Sequence, residues 1–205
     1  FIKFKMGDSL LILGSAGVGK SKLVKEFVKY NRNNDNKTMY ITSTTGISAY
    51  NIGGITINSF MGIGTGEAPV EVLLKRLRYK QSIRDRIIGT EILVIDEISM
   101  VRCDVMDAID TVLRSVRRNY NMPFGGVQLL CIGDLHQLQP VAKNEEWNIL
   151  NEYYASPFFF DSLAIKEQTP LLIELNKIYR QKEQSFVNLL NKVRTNSMDA
   201  DDFED

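Results

Sequence analysis

Short apolar runs alternate along this chain with longer stretches in which apolar residues recur every three or four positions. Leu10-Leu11-Ile12-Leu13, Met39-Tyr40-Ile41-Thr42, Ile92-Leu93-Val94-Ile95 and Val127-Gln128-Leu129-Leu130-Cys131-Ile132 have the pattern of strands mostly buried on both faces, and Leu171-Leu172-Ile173 is a shorter run of the same kind. Behind the first run, Leu23, Val24, Phe27 and Val28 recur at helical spacing. Val101, Val105, Ile109, Val112, Val116 and Tyr120 mark one stripe of a long helix, and Phe186, Leu189, Leu190 and Val193 suggest another near the C-terminus. Asn31 to Lys37 reads as a polar turn and Gly62 to Pro69 as a glycine-bearing loop. Strands alternating with helices predict an α/β fold with a central, mainly parallel sheet and helices on both faces. Such sheets bind ligands at the carboxyl ends of their strands, and each polar motif below directly follows an apolar run.

Composition narrows this picture in few places. The 205 residues suffice for one large α/β domain or two small ones. Lys plus Arg equals Asp plus Glu at 25 each, so a polyanionic partner must be held by a local patch. Cys103 and Cys131 both sit among apolar residues and read as buried thiols in a reducing compartment. No run approaches membrane-spanning length, no signal-peptide pattern opens the chain, and the first residue, Phe1, suggests a piece of something longer. The acidic stretch Asp199 to Asp205 reads as a solvated terminus.

The chemistry begins at Gly14-Ser15-Ala16-Gly17-Val18-Gly19-Lys20-Ser21, which fits G-x-x-x-x-G-K-[ST] between a strand and a helix. Glycines let the backbone wrap with its N–H groups directed at a triphosphate. Lys20 then neutralises the outer phosphates, and the Ser21 hydroxyl ligates Mg²⁺. ATP and Mg²⁺ are therefore the expected ligands. At the end of the Ile92 to Ile95 run stands Asp96-Glu97. An aspartate there holds Mg²⁺ opposite Ser21, and the adjacent glutamate is placed to polarise a water attacking the γ-phosphate, which favours hydrolysis over phosphoryl transfer to a small molecule. After Ile132 comes Gly133-Asp134-Leu135-His136-Gln137-Leu138-Gln139-Pro140. The amide of Gln137 can donate to phosphate and accept from water at once. His136, the single histidine, reads as a surface residue or a DNA contact. Arg180, in Tyr179-Arg180-Gln181, is either an arginine finger on the γ-phosphate or a surface ion pair; spacing alone does not separate the two.

Together these segments resemble a family. Gly14 to Ser21, the stretch Thr42 to Phe60, Val94-Ile95-Asp96-Glu97-Ile98-Ser99-Met100, Phe124-Gly125-Gly126-Val127-Gln128-Leu129, Gly133 to Val141 and Tyr179-Arg180-Gln181 follow one another in the order found in Pif-type DNA helicases of superfamily 1. The resemblance runs from about Leu10 to about Asp202. It implies a RecA-like phosphate-loop NTPase domain, the first of two in such a helicase, occupying residues 1–205. It also implies ATP-driven 5′-to-3′ translocation on single-stranded DNA and duplex unwinding, with roles in DNA repair, recombination and replication. By that resemblance Lys20, Glu97, Gln137 and Arg180 are catalytic, Ser21 and Asp96 hold the metal, and Thr44, Thr45, Gly46, Thr56, Asn58 and Ser59 fall in segments that contact single-stranded DNA. Hydroxyls and loop N–H groups suit that role, since they hold phosphates without reading bases.

Two departures from the family pattern stand out. Asn58 replaces the usual histidine before Ser-Phe, and Leu-His-Gln-Leu-Gln-Pro replaces a segment with two aromatics and a double proline. The second motor domain's motifs have no counterpart after Arg194, and the glutamine-bearing adenine-recognition segment is absent before the phosphate loop. The expected partners are thus single-stranded DNA, DNA junctions and a second RecA-like domain of a parent protein, with no membrane, a monomeric state and an intracellular location: nucleus or mitochondrion in a eukaryote, host cell for a virus. Isolated, such a domain is expected to bind nucleotide weakly, turn it over slowly and lack helicase activity. The alternatives are a non-catalytic nucleic-acid-binding remnant, against which the intact Lys20, Asp96, Glu97 and Gln137 argue, and an unrelated phosphate-loop kinase, against which Glu97 and the DNA-contact segment argue.

Overall fold

The computed structural model describes residues 2–62, 69–177, 192–193 and 197–198. Six strands, β1 (Leu10–Gly14), β2 (Met39–Ser43), β3 (Ile55–Thr56), β4 (Ile92–Asp96), β5 (Gln128–Gly133) and β6 (Leu171–Leu175), form one sheet in the order β3-β2-β4-β5-β1-β6. Every neighbouring pair is parallel, so all carboxyl ends lie along one edge. In chain order the helices among the described residues are α1 (Ile2–Lys5), α2 (Lys20–Asn33), α3 (Gly46–Asn51), α4 (Ile57–Met61), α5 (Val70–Leu77), α6 (Gln81–Gly89), α7 (Cys103–Arg117), α8 (Asn144–Leu150) and α9 (Leu163–Glu167).

Strand alternation divides the core. Ile92 and Val94 of β4, with Leu130 and Ile132 of β5, face a cluster built with Phe4, Val24 and Phe27 of α1 and α2. Leu93, Ile95, Leu129 and Cys131 face the larger cluster that holds Phe60, Leu77, Ile87, Met106, Ile109 and Leu113. β4 and β5 are buried at every position. The doubly covered sheet expected from the apolar runs is present at its centre and weakens outward. β2 is only partly buried along Met39–Ile41, and β6 exposes Leu171, Leu172 and Ile173 at one edge, contrary to strands buried on both faces.

α7 departs from the predicted stripe. It starts after Val101 and ends at Arg118, whose left-handed φ of 56° breaks the helix before Tyr120, which is 62 % exposed. The inward positions are Cys103, Met106, Ile109 and Leu113, with Val112 beside them, while Val105 and Val116 only flank the core. The glycine turn before β5 is seated on this helix. Gly125 has φ +60°, and a Cβ there would come within 2.8 Å of the Leu113 carbonyl oxygen; the Phe124 N–H donates to the Asp110 carboxylate at 2.5 Å. The polar turn after α2 begins later than Asn31, which is buried and bridges the turn by donating to the Lys37 carbonyl at 2.7 Å and accepting from the Lys37 N–H at 3.2 Å. The helix suggested by Phe186, Leu189 and Leu190, residues 63–68 of the glycine-bearing loop, and Asp199 to Asp205 lie outside the described residues.

Candidate nucleotide-binding site

The phosphate loop leaves the carboxyl end of β1 and enters α2. Gly14 has no room for a side chain, because a Cβ would lie 2.8 Å from the Leu175 carbonyl oxygen and from Val18 Cγ2. Gly19 caps α2 with φ 95°, a conformation costly for any residue with a Cβ. Val18 is buried and pins the loop, leaving its backbone to face outward. No side chain caps α2 and no acid occupies its first turn, so its first N–H groups and the positive end of its dipole are directed at the loop's concavity. Lys20 Nζ reaches back across the loop and donates to the Gly14 and Ser15 carbonyls at 2.8 and 3.0 Å.

Asp96 is the last residue of β4 and is buried at 6 % exposure; one carboxylate oxygen accepts from the Ser48 hydroxyl at 3.4 Å. Burial pushes its carboxyl above the usual aspartate range, opposed by the Glu97 N–H, the Lys20 charge and Ser48. Glu97 follows with φ 54°, a strained left-handed backbone that ends the strand and turns the side chain toward the loop. Its carboxyl is also raised, first by burial and then by the neighbouring Asp96 charge, while Lys20 lowers it and Asp134 adds to the rise. From the loop after β5, Gln137 completes the wall. Its amide Nε2 donates to Asp134 at 3.2 Å, and the other Asp134 oxygen accepts from the His136 N–H at 3.1 Å.

These elements enclose a cleft of about 520 Å³ lined by Ala16, Gly17, Gly19, Lys20, Ser21, Lys22, Asp96, Glu97 and Gln137. The loop residues and the Asp96, Glu97 and Gln137 side chains thus meet at one place, as their motifs imply. Arg180 lies outside the described residues.

The residues assigned to DNA are dispersed over the same edge. Thr44 and Asn58 line a second groove of about 380 Å³ together with Arg102, Gln139 and Lys143. Thr45 and Thr56 do local work as well: their hydroxyl oxygens cap α3 and α4 by accepting from the Ser48 and Ser59 N–H groups, each at 3.2 Å. Gly46 and Ser59 are exposed. Two residues that the motifs did not single out now stand beside the chemistry. Ser48 ties α3 to Asp96, and Asp134, 1 % exposed, sets the orientation of Gln137. The signal for Asp134 was present in its spacing, since a carboxylate three residues before a glutamine at a strand end is placed to close a turn. His136 is an exposed loop residue held through its backbone.

A parallel sheet with a phosphate loop after β1, an acidic pair after β4 and a glutamine after β5, all at one edge, defines a RecA-like phosphate-loop NTPase domain. The family model for PIF1-like helicase matches residues 2–203, and the chain belongs to that family. It is 40% identical over 201 residues to the ATP-dependent DNA helicase PIF1 of Candida albicans, covering 97% of this chain and 22% of that protein. It is 39% identical over 188 residues to the human ATP-dependent DNA helicase PIF1, covering 92% and 27%. Among solved structures, the Candida albicans Pif1 helicase superposes with a TM-score of 0.87 at 39% identity, covering 98% of this chain and 44% of that one. Bacteroides Pif1 bound to single-stranded DNA gives 0.87 at 34%, covering 100% and 46%. A Bacteroides Pif1 complex with ADP-AlF3 and single-stranded DNA gives 0.81 at 36%, covering 97% and 45%. The chain therefore spans about a quarter of those curated relatives and less than half of the crystallised chains.

Proposed function

We propose that residues 1–205 are the first RecA-like motor domain of a DNA helicase that hydrolyses ATP to move along single-stranded DNA and open duplexes, in the service of DNA replication, repair and recombination. The observation that carries this reading is the meeting of Lys20, Ser21, Asp96, Glu97 and Gln137 in one cleft. A bound triphosphate would draw the Lys20 ammonium from the Gly14 and Ser15 carbonyls onto the outer phosphates, while the loop N–H groups and the α2 N-terminus hold the rest. The donor set suits Mg²⁺. Among the described residues no three acidic, histidine or cysteine side chains are grouped to hold a metal, and a hydroxyl with one carboxylate is what a Mg²⁺ shared with phosphate oxygens requires. Ser21 and Asp96 would hold it, and the ion would supply charge neutralisation on the phosphates.

Glu97 has the character of a base. Its raised carboxyl accepts a proton more readily than an exposed glutamate does, which fits it to take one from the attacking water while Gln137 orients that water. Arg180, from the family pattern, is assigned the finger that stabilises the transition-state charge. Thr44, Thr45, Gly46, Thr56, Asn58 and Ser59 are assigned to the DNA backbone; for Thr45 and Thr56 the hydroxyl proton is what remains to donate, since the oxygen already serves a cap. The 5′-to-3′ direction, the second RecA-like domain, action at DNA junctions, a monomeric state and a DNA-containing compartment extend the same reading. So does weak, slow turnover by this domain alone, because the second motor domain's nucleotide-contacting motifs have no counterpart in this chain.

The test is phosphate release with and without single-stranded DNA, in a polypeptide carrying a second motor domain, beside nucleotide titration. Lys20→Ala should nearly abolish nucleotide binding, whereas Glu97→Gln should bind normally and lose turnover. Equal hydrolysis by Glu97→Gln and the parent sequence would remove Glu97 from catalysis. Absence of any DNA stimulation would remove the motor assignment.

A further inference from the structure

α2 carries Lys22, Lys25, Lys29 and Arg32, all exposed, at intervals of three, four and three residues. That spacing keeps them within one sector of the helix, a basic stripe about 15 Å long at 1.5 Å of rise per residue. Lys25, Lys29 and Arg32 form one wall of a groove of about 530 Å³ that contains none of the DNA-assigned residues and shares only Ser21 with the nucleotide cleft. Its floor is aliphatic: Val24 and Val28 from α2, Ile41 from β2, and Ile52 beside Gly53 after α3. Among the described residues no carboxylate lines it and no salt bridge engages the three cations. The acid of this helix, Glu26, does not line the groove. In a chain of zero net charge this is a local excess: five cations and one glutamate make α2 +4.

We infer that this groove docks an acidic amphipathic peptide segment of another protein, its apolar side chains on the aliphatic floor and its carboxylates against Lys25, Lys29 and Arg32. The pairing of a dry floor with a cationic rim is what selects the occupant. A nucleic acid strand would satisfy the rim, yet among the described residues the lining offers no aromatic ring on which bases stack, and phosphates laid over the valines and isoleucines gain nothing from them. A segment with carboxylates on one side and leucine-like anchors on the other uses both features, as in helix-in-groove recognition. The inference concerns a surface outside the proposed ATP and DNA chemistry and does not depend on it.

The experiment is fluorescence anisotropy on this chain with a labelled helical peptide of about twelve residues, matching the stripe in length, in which leucine and phenylalanine recur every three or four positions on one face and aspartate and glutamate fill the other. The other arms are a peptide with serine at every apolar position, a single-stranded oligonucleotide and a duplex. Expected are saturable binding of the first peptide, at least about ten-fold weaker binding of the serine version, and weakening with salt. Exposed ion pairs are each worth about 0.2–1 kcal/mol, up to about five-fold, so the combined Lys25→Gln, Lys29→Gln and Arg32→Gln variant should lower peptide affinity by about three- to a hundred-fold. None of the three cations is among the residues assigned to DNA, so the same variant should lower oligonucleotide affinity by less than it lowers peptide affinity. Ile52→Ser, whose folding is followed by thermal melting, should weaken the peptide without altering the melt. Equal binding of the serine peptide, indifference of the acidic peptide to the triple variant, or loss of oligonucleotide rather than peptide binding in that variant would each overturn the proposal. So would rim-dependent self-association by sedimentation, which would make the occupant a second copy of the chain.

Discussion

Asp134→Asn replaces one carboxylate oxygen by an amide nitrogen and should sharply slow the site without touching its nucleotide cradle. In the native arrangement one Asp134 oxygen accepts from the His136 N–H at 3.1 Å and the other from Gln137 Nε2 at 3.2 Å. Asparagine keeps an acceptor for the backbone, but its amide then faces the Gln137 amide, donor against donor. Gln137 must turn over, presenting Nε2 to the cleft where Oε1 stood, and so loses the acceptor assigned to the attacking water. A hydrogen bond to a charged group is worth about 1.5–3 kcal/mol, which, expressed in the transition state, is a fall in turnover of about ten- to a hundred-fold. Nucleotide affinity should stay within about two-fold, because the phosphate loop and the Lys20 and Ser21 side chains assigned to the phosphates are left chemically unchanged.

Single-turnover hydrolysis with saturating DNA reads the first effect and nucleotide titration the second. A second readout follows from charge. Asp134 helps to hold the Glu97 carboxyl up, so removing its charge lowers that carboxyl and moves the acid limb of the pH–rate profile to lower pH. If Asp134 acts through Gln137, Asp134→Asn should cost nothing further in a Gln137→Ala background. Undiminished turnover of Asp134→Asn, or a full and additive loss in the Gln137→Ala background, would refute this account.

Three further outcomes can be checked on this chain. Glu97 is raised above the ordinary glutamate value of 4.5, so it ionises less readily folded than unfolded; the native state is favoured below that value and loses ground as pH rises through the folded value. Glu97→Gln should therefore melt higher than the parent at pH 7, with the gain shrinking as pH falls through the folded value and gone below 4.5, and a pH-independent difference would contradict it. Gly125→Ala must hold a residue with a Cβ at φ +60° and 2.8 Å from the Leu113 carbonyl oxygen, whereas a Cβ at Gly46 meets nothing within 4 Å. Denaturant titration should find Gly125→Ala less stable by about 2–4 kcal/mol and Gly46→Ala within about 0.5 kcal/mol of the parent; equal midpoints would sink the packing argument. Burial pushes the Cys131 thiol up to about 12 and, with Asp104, the Cys103 thiol up to about 11, so at pH 8 iodoacetamide followed by mass spectrometry should label neither in the folded chain and both in urea. Labelling of the folded chain at the rate of a free thiol would show the sites to be open.

The motifs of the candidate nucleotide site were readable from sequence because each is local. Gly14 to Ser21 is one loop between one strand and one helix, and Asp96-Glu97 stands at the end of a run that is apolar at every position. What sequence hid is contact across long separations. The Ser48 hydroxyl meets Asp96 from 48 residues away, and nothing about Ser48 marks it before α3 is folded against β2. β3 has two residues, and its place depends on Gly54, where a Cβ would lie 2.3 Å from the Ile41 carbonyl oxygen, rather than on any apolar run. β6 was readable as a weak strand, and the weakness is physical: at the sheet edge its leucines stay exposed. α5 and α6 carried a usable pattern in Leu73, Leu77 and Ile87, all buried, that the breaks at Arg78 and Lys80 obscured by dividing it between two short helices. The stripe assigned to α7 erred at both ends for a related reason, since periodicity does not report where a helix is capped.

Thr56, Ser43 and Asp96 occupy one register row across three adjacent strands. Neighbouring strands stand about 4.8 Å apart, so the start of the Thr56 segment is fixed about 10 Å from the metal-assigned aspartate by continuous peptide hydrogen bonds. Such a row is a ruler. It is stiff along its length, and it forbids sliding between the two places it joins unless ladder bonds break. Under the proposed motor function, a DNA step cannot be a shear inside the sheet. The stroke would then be taken up by the loop that carries Gln137 to the neighbouring groove at Gln139, or by travel of the whole sheet as one block, with the row setting the zero from which that travel is measured.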